Sequence, residues 1–161
     1  MQRRRFEHLM RALGLPAAEA ARIAGQTIDW IDSDNRPAAS GAEDDVYLGR
    51  GEAGYRTGAT LMAEPAELLA LEAMTPDAYR QIAPFVCTRP VAEALPLNIN
   101  TLRPEQWPLL AALFEGDLGR VAIDGILLAR PAAGPRRRCL VAPWGPRPPR
   151  GRERLARRAW P

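Results

Sequence analysis

The chain has 161 residues, 47% of them apolar, with a formal net charge of +3. That length fits one domain, or one domain with a tail. No stretch approaches the roughly eighteen consecutive apolar residues of a membrane helix, and two cysteines, Cys87 and Cys139, build no disulfide framework and lack metal-ligand spacing.

The charge is unevenly divided. Met1 to Gly134 carries thirteen Arg and eighteen acidic residues, a balance of −5, whereas Pro135 to Pro161 carries nine Arg and one Glu, a balance of +8. The tail alone is basic, so the protein as a whole does not carry the electrostatic footprint of a polyanion binder. All the basic residues are Arg, a bias that fits a GC-rich coding sequence.

In chain order, Arg3, Arg4 and Arg5 imitate the basic start of a secretory signal, but Glu7, His8, Arg11, Glu19 and Arg22 break up the apolar core that such a signal needs and exclude one. Phe6, Leu9, Met10 and Leu13 share one face of a short helix that Gly14 stops. Pro16 opens a second helix to about Ile31, with Ile23, Thr27, Trp30 and Ile31 on its inner side. Asn35 to Glu64 reads as a long loop, anchored by Tyr47, Leu48 and Tyr55 and longer than compact domains usually carry without a reason. Glu64 to Glu67 opens a helix bearing Leu68, Leu69 and Leu71. Thr75-Pro76-Asp77 supplies an N-cap, a first-turn Pro and a first-turn acid for a helix through Tyr79, Ile82 and Phe85, which Pro84 ends or kinks.

Leu97-Asn98-Ile99-Asn100 alternates as a short strand or an extended link. Thr101 caps a helix with Pro104 and Glu105 in its first turn, running to about Phe114. A turn at Gly116 and Gly119 leads to a last helix through Val121, Ile123, Ile126, Leu127 and Leu128, closed by Arg130-Pro131. The expected fold is mainly α, about six short helices with a long acidic loop and little strand. From Pro135 onward, six Pro and no sustained periodicity predict disorder.

The chemistry concentrates between Thr27 and Tyr47, where Asp29, Asp32, Asp34, Glu43, Asp44 and Asp45 crowd one helix end and the loop after it. Carboxylates so placed repel one another unless a cation sits among them. Asp29 and Asp32 also lie at the negative end of the helix dipole, where anions are disfavoured. Asp32 and Asp34 have the alternate spacing at which successive oxygens face one ion. A donor set of oxygens, with no Cys and no His, suits calcium and argues against zinc or copper. The bland alternative is a solvated loop held open by its own charges. The split arrangement is not an EF-hand.

The run DWIDSDNRP…GAEDDVYLG with Tyr55-Arg56, then MAEPAELLALEAMTPDAYRQIAPFV and PLNINT, resembles the K-type minor pseudopilin of the type II secretion system over about Phe6 to Gly134. The resemblance implies a helical domain, residues 1–134, inserted in a pilin-like subunit on the periplasmic side of the bacterial inner membrane. It implies a place at the pseudopilus tip beside I-type and J-type minor pseudopilins, contact with secreted cargo, bound Ca2+ and no catalytic activity. The acidic positions of the family pattern fall on Asp29, Asp32, Asp34, Glu43 and Asp44, with Asp45 at a looser position. Two departures stand out. The family's leader and apolar anchor helix, its link to the membrane, are not in this sequence. In place of pilin strands, residues 135–161 form an Arg/Pro-rich tail whose composition suggests out-of-frame translation past Gly134.

Two other function classes compete. Paired carboxylates also serve general acid–base catalysis, but no nucleophile stands in a recognisable setting and the one histidine, His8, falls on the polar side of the first helix. The segment from Asn98 to Arg130 resembles a helix-hairpin-helix nucleic-acid module. Its turn, Phe114-Glu115-Gly116-Asp117, places two acids where phosphate would bind, and the helical region is net acidic.

Overall fold

A computed structural model describes residues 3–50, 53–91 and 96–130. The expectations for the Arg/Pro-rich tail and Cys139 lie outside them. Among the described residues there are six α-helices, α1 (Arg3–Ala12), α2 (Ala17–Ile31), α3 (Asp44–Leu48), α4 (Pro76–Ile82), α5 (Trp107–Leu113) and α6 (Arg120–Leu128), joined by 3₁₀ turns and irregular segments without strands. None of these helices is long and apolar enough to cross a membrane.

α1 and α2 form the spine. Phe6, Leu9 and Met10 of α1 are buried as their spacing predicts, and face Ala20, Ile23, Ala24 and Trp30 of α2. The link between them turns at Gly14, whose φ of 100° is one that side chains rarely adopt. α1 also packs on α5, which brings the C-terminal part of the chain against the N-terminal helix. The main core is completed by Tyr47, Leu68, Leu71, Met74, Ala78 and Ile82, so residues from α3 to α4 share one apolar cluster with α1 and α2. A second, smaller cluster of Leu102, Leu110, Ala111, Ile123 and Leu127 holds α5 and α6 together.

Several local expectations are refined by the packing. The 35–64 loop is interrupted by α3, a helix too short to show a 3.6-residue period. Pro65–Ala70 is a 3₁₀ turn, closed by the Glu67 carboxylate accepting from the amides of Ala63 (2.6 Å) and Glu64 (3.0 Å). Thr75 caps α4 as expected, its hydroxyl oxygen accepting from the Ala78 amide at 3.1 Å. The chain tightens into a 3₁₀ turn at Ala83–Phe85, around Pro84.

Thr101 is not a cap. It ends a 3₁₀ turn, Ile99–Thr101, and donates its hydroxyl to the Asn98 carbonyl (2.8 Å). The Asn98–Asn100 segment is therefore turn rather than strand, with the Asn98 side chain accepting from the Asn100 amide, which is Asn turn chemistry. Arg130, just past α6, donates to the carbonyls of Ile99, Leu102 and Leu127, and this clamp fixes the link against the last helix.

Candidate metal centre in the acidic loop

α2 delivers Asp29 and, at its C-cap, Asp32. The chain then leaves the helix in an extended conformation (Asp32 ψ 174°). Asp34 accepts from the Arg36 amide at 2.8 Å, an Asx-type turn that bends the loop back. A tighter turn comes next, in which the Gly41 amide donates to the Ala38 carbonyl at 2.8 Å and Ser40 takes a positive φ of 62°. The chain returns buried at Ala42 and Glu43, and Glu43 stands at the N-cap of α3.

Of the five carboxylates expected to gather, Asp32, Asp34 and Glu43 each offer an oxygen, and the three atoms lie within 4.8 Å of one another. Glu43 is only 4% exposed. Its Oε1, and the Oδ1 of Asp32, are buried without a hydrogen-bond partner. Such orphaned acceptors are costly, since each has lost water without gaining a donor. Burial pushes the Glu43 carboxyl up to about 6, reinforced by the negative charges of Asp29, Asp32, Asp34 and Asp44. An all-oxygen set of converging carboxylates with unpaired, buried oxygens fits a hard divalent cation such as calcium. The ion would supply the positive charge that these oxygens lack.

The other two carboxylates are engaged within the chain. Asp29, 1% exposed, accepts from the Ala38 amide through both oxygens, at 3.0 and 3.2 Å. Burial raises its pKa against the opposing effect of its bonds to the Ala38 and Ala42 amides. Asp44 accepts from the amide and hydroxyl of Thr57, at 2.9 and 3.0 Å, and pairs with Arg56 at 2.8 Å. These bonds hold its carboxyl below the usual range, the Thr57 amide contributing most. Asp45 is exposed on α3.

Sequence reasoning missed the roles of Arg56 and Thr57 because their partner, Asp44, lies 12 and 13 residues away with no local pattern to mark it. It also missed Gly25 and Gly41. A methyl group at Gly25 would sit 2.8 Å from the Ala39 carbonyl oxygen, and one at Gly41 would collide with the Asp29 carboxylate at 1.8 Å. A glycine inside a helical pattern, as at Gly25, is the signal that another backbone approaches closely.

The outer side of the loop is pinned by aromatic residues. Trp30, Tyr47 and Tyr55 meet with ring centroids 5.5 to 6.1 Å apart. The Tyr55 hydroxyl donates to the Ala70 carbonyl at 2.6 Å, and the Ala59 amide to the Trp30 carbonyl at 3.0 Å. His8 is half-buried, with Gly116 of the α5–α6 turn against its ring. In that turn the amides of Glu115, Gly116 and Asp117 donate to the carbonyls of Ala112, Ala111 and Phe114. They are not turned outward for a phosphate, and Glu115 pairs with Arg4 and Arg5.

The fold and the site together define a small helical domain with an acid-lined loop. Comparison with known proteins supplies the family. Family models described as type II secretion system protein K match residues 1–91 and 97–137. The chain belongs to the type II secretion system protein K family.

It is 40% identical to type II secretion system protein K of Dickeya chrysanthemi, over 80% of this chain and 35% of that protein. It is 39% identical to the Pectobacterium carotovorum protein, over 80% of this chain and 39% of that one. It thus spans less than two fifths of the curated relatives it matches. A chain in the crystal structure of the GspK-GspI-GspJ complex from the enterotoxigenic Escherichia coli type 2 secretion system has the same fold, with a TM-score of 0.65 and 30% identity. The match covers 82% of this chain and 44% of that one.

Proposed function

We propose that this chain is the helical domain of a K-type minor pseudopilin, a structural subunit with no chemistry of its own. It would sit at the tip of the pseudopilus on the periplasmic side of the inner membrane, assembled with I-type and J-type partners and facing secreted cargo. The observation that carries this reading is the likeness, in fold and in sequence, to a chain of a complex that contains those three subunits. The test is co-expression with the I-type and J-type subunits of the same secretion system. A ternary complex that survives size-exclusion chromatography is expected, and a chain that elutes alone would count against it.

The same proposal includes calcium held by Asp32, Asp34 and Glu43, and the buried, unpartnered Oδ1 of Asp32 and Oε1 of Glu43 support it. Neutralising the cluster would fix the returning loop, and the free energy of binding would then add to folding stability. Calorimetric titration of the chelator-treated protein should show calcium uptake that Asp34→Ala abolishes. Absence of heat with the wild-type protein at millimolar calcium would refute the site.

A further inference from the structure

We propose that Asp29 is not a ligand but a positioning residue: together with Gly25 and Gly41 it forms a clasp on α2 that closes the acidic loop before any ion arrives. The proposal rests on the calcium reading for its functional meaning, though its structural part stands alone. Gly25 and Asp29 lie four residues apart on α2, hence on one face of the helix. Over that face runs the Ala38–Gly41 turn. It comes so close to Gly25 that a Cβ there would lie within 3 Å of three backbone atoms of Ala39, Ser40 and Gly41. One turn further along, the Asp29 carboxylate fills the space against Gly41 and receives the Ala38 amide on both oxygens.

Arg3 of α1 reaches the same turn, its guanidinium donating to the Ala39 carbonyl at 2.5 Å. The turn is therefore tied to two helices by contacts in which no metal takes part. The consequence is geometric. Asp34 and Glu43 lie on opposite limbs of the loop, and their oxygens meet that of Asp32 because the turn between the limbs is tied down at Ala38. The Asp29 oxygens already engage backbone donors, whereas those of Asp32 and Glu43 include atoms with no partner. One buried acid serves the loop and the others are left for the ion.

The two roles move ion-free measurements in opposite directions. In chelator, Asp29→Ala should lower the melting temperature and expose the Ala38 amide to exchange at least about tenfold faster, the effect of losing one hydrogen bond's net stabilisation. Asp29→Asn keeps an acceptor for that amide and should recover part of both losses. Asp32→Ala should leave Ala38 protected and hold or raise the melting temperature, because it only removes a repelling charge. In calcium, Asp29→Ala should still take up the ion, about 10- to 100-fold more weakly, as expected when a group that orients ligands is lost.

If Asp29→Ala leaves Ala38 protection unchanged in chelator and raises the melting temperature as Asp32→Ala does, the clasp is wrong and Asp29 belongs with the ligands. If the wild-type protein binds no calcium, the metal reading fails separately. The chelator measurements on Ala38 then still decide the clasp. Should Asp29→Ala not fold, Asp29→Asn against Asp32→Asn under the same exchange measurement gives the same decision.

Discussion

The α1–α2 region with its loop and the α5–α6 corner are held by different forces. Around α2, a large apolar cluster is overlaid by irregular chain whose position depends on ionisable side chains: Asp29 on Ala38, Asp44 on Thr57 and Arg56, and the converging Asp32, Asp34 and Glu43. At the corner, a few buried side chains and the Arg130 clamp hold two short helices, while Val121 and Leu128 of α6 stay 87% and 85% exposed. The first region can thus respond to protons and cations. The second has no buried carboxylate among its described residues and should be indifferent to both.

The largest expected effect lies in the small cluster. Ile123→Ala removes a fully buried side chain from a core with few others, at a cost of about 2–5 kcal/mol. Hydrogen exchange should show α5 and α6 loosening first, with calcium uptake at the loop retained. Loss of calcium binding in this variant would mean that the two regions are not separable.

Calcium should act next, and on the other region. At one hundred times its dissociation constant an ion that binds only the folded state stabilises it by about 2.7 kcal/mol. Thermal melts with calcium and with chelator should differ accordingly, and Asp32→Ala or Asp34→Ala should remove most of the difference. An equal shift in Asp34→Ala would place the ion elsewhere.

Proton binding gives a third separation. Glu43 is pushed from an ordinary 4.5 up to about 6, so the folded state binds its proton more tightly than the unfolded chain does. Ion-free protein should therefore lose stability as pH rises from about 4.5 to about 6, by on the order of 2 kcal/mol. Asp44 and Glu72 work in the opposite sense: the bonds from Thr57 hold Asp44, and those from the Gln26 amide and the Arg22 guanidinium hold Glu72, below the usual range, and the stability they contribute is lost as pH falls through those lowered values. Urea melts across pH 3 to 7 in chelator should show a maximum between the two limbs, and Glu43→Gln should reduce the upper one, leaving the part that Asp29, also raised by burial, contributes.

Arg130→Ala is the smallest expected effect. It withdraws a donor from three carbonyls at the corner, of which the Ile99 and Leu102 oxygens join distant parts of the chain. A loss of about 1 kcal/mol is expected, independent of pH and calcium in the same melts. A calcium-dependent loss would break the contrast between the two regions.

The short-range code was legible. Apolar spacing in α1, α2 and α6, the Thr75-Pro76 start of α4 and the crowding of acids from Asp29 to Asp45 all reside in neighbouring residues, where periodicity and capping chemistry act. The family resemblance rested on the same contiguous motifs and agrees with the family matches over 1–91 and 97–137. What tertiary structure alone decided is which acid does what. Asp29 and Asp32 are one helical turn apart and chemically identical. One meets the Ala38 amide because a backbone turn crosses Gly25, and the other faces Asp34 and Glu43 because the helix ends beneath it. A carboxylate's role is set by the donors brought to it, and those donors come from residues distant in the chain.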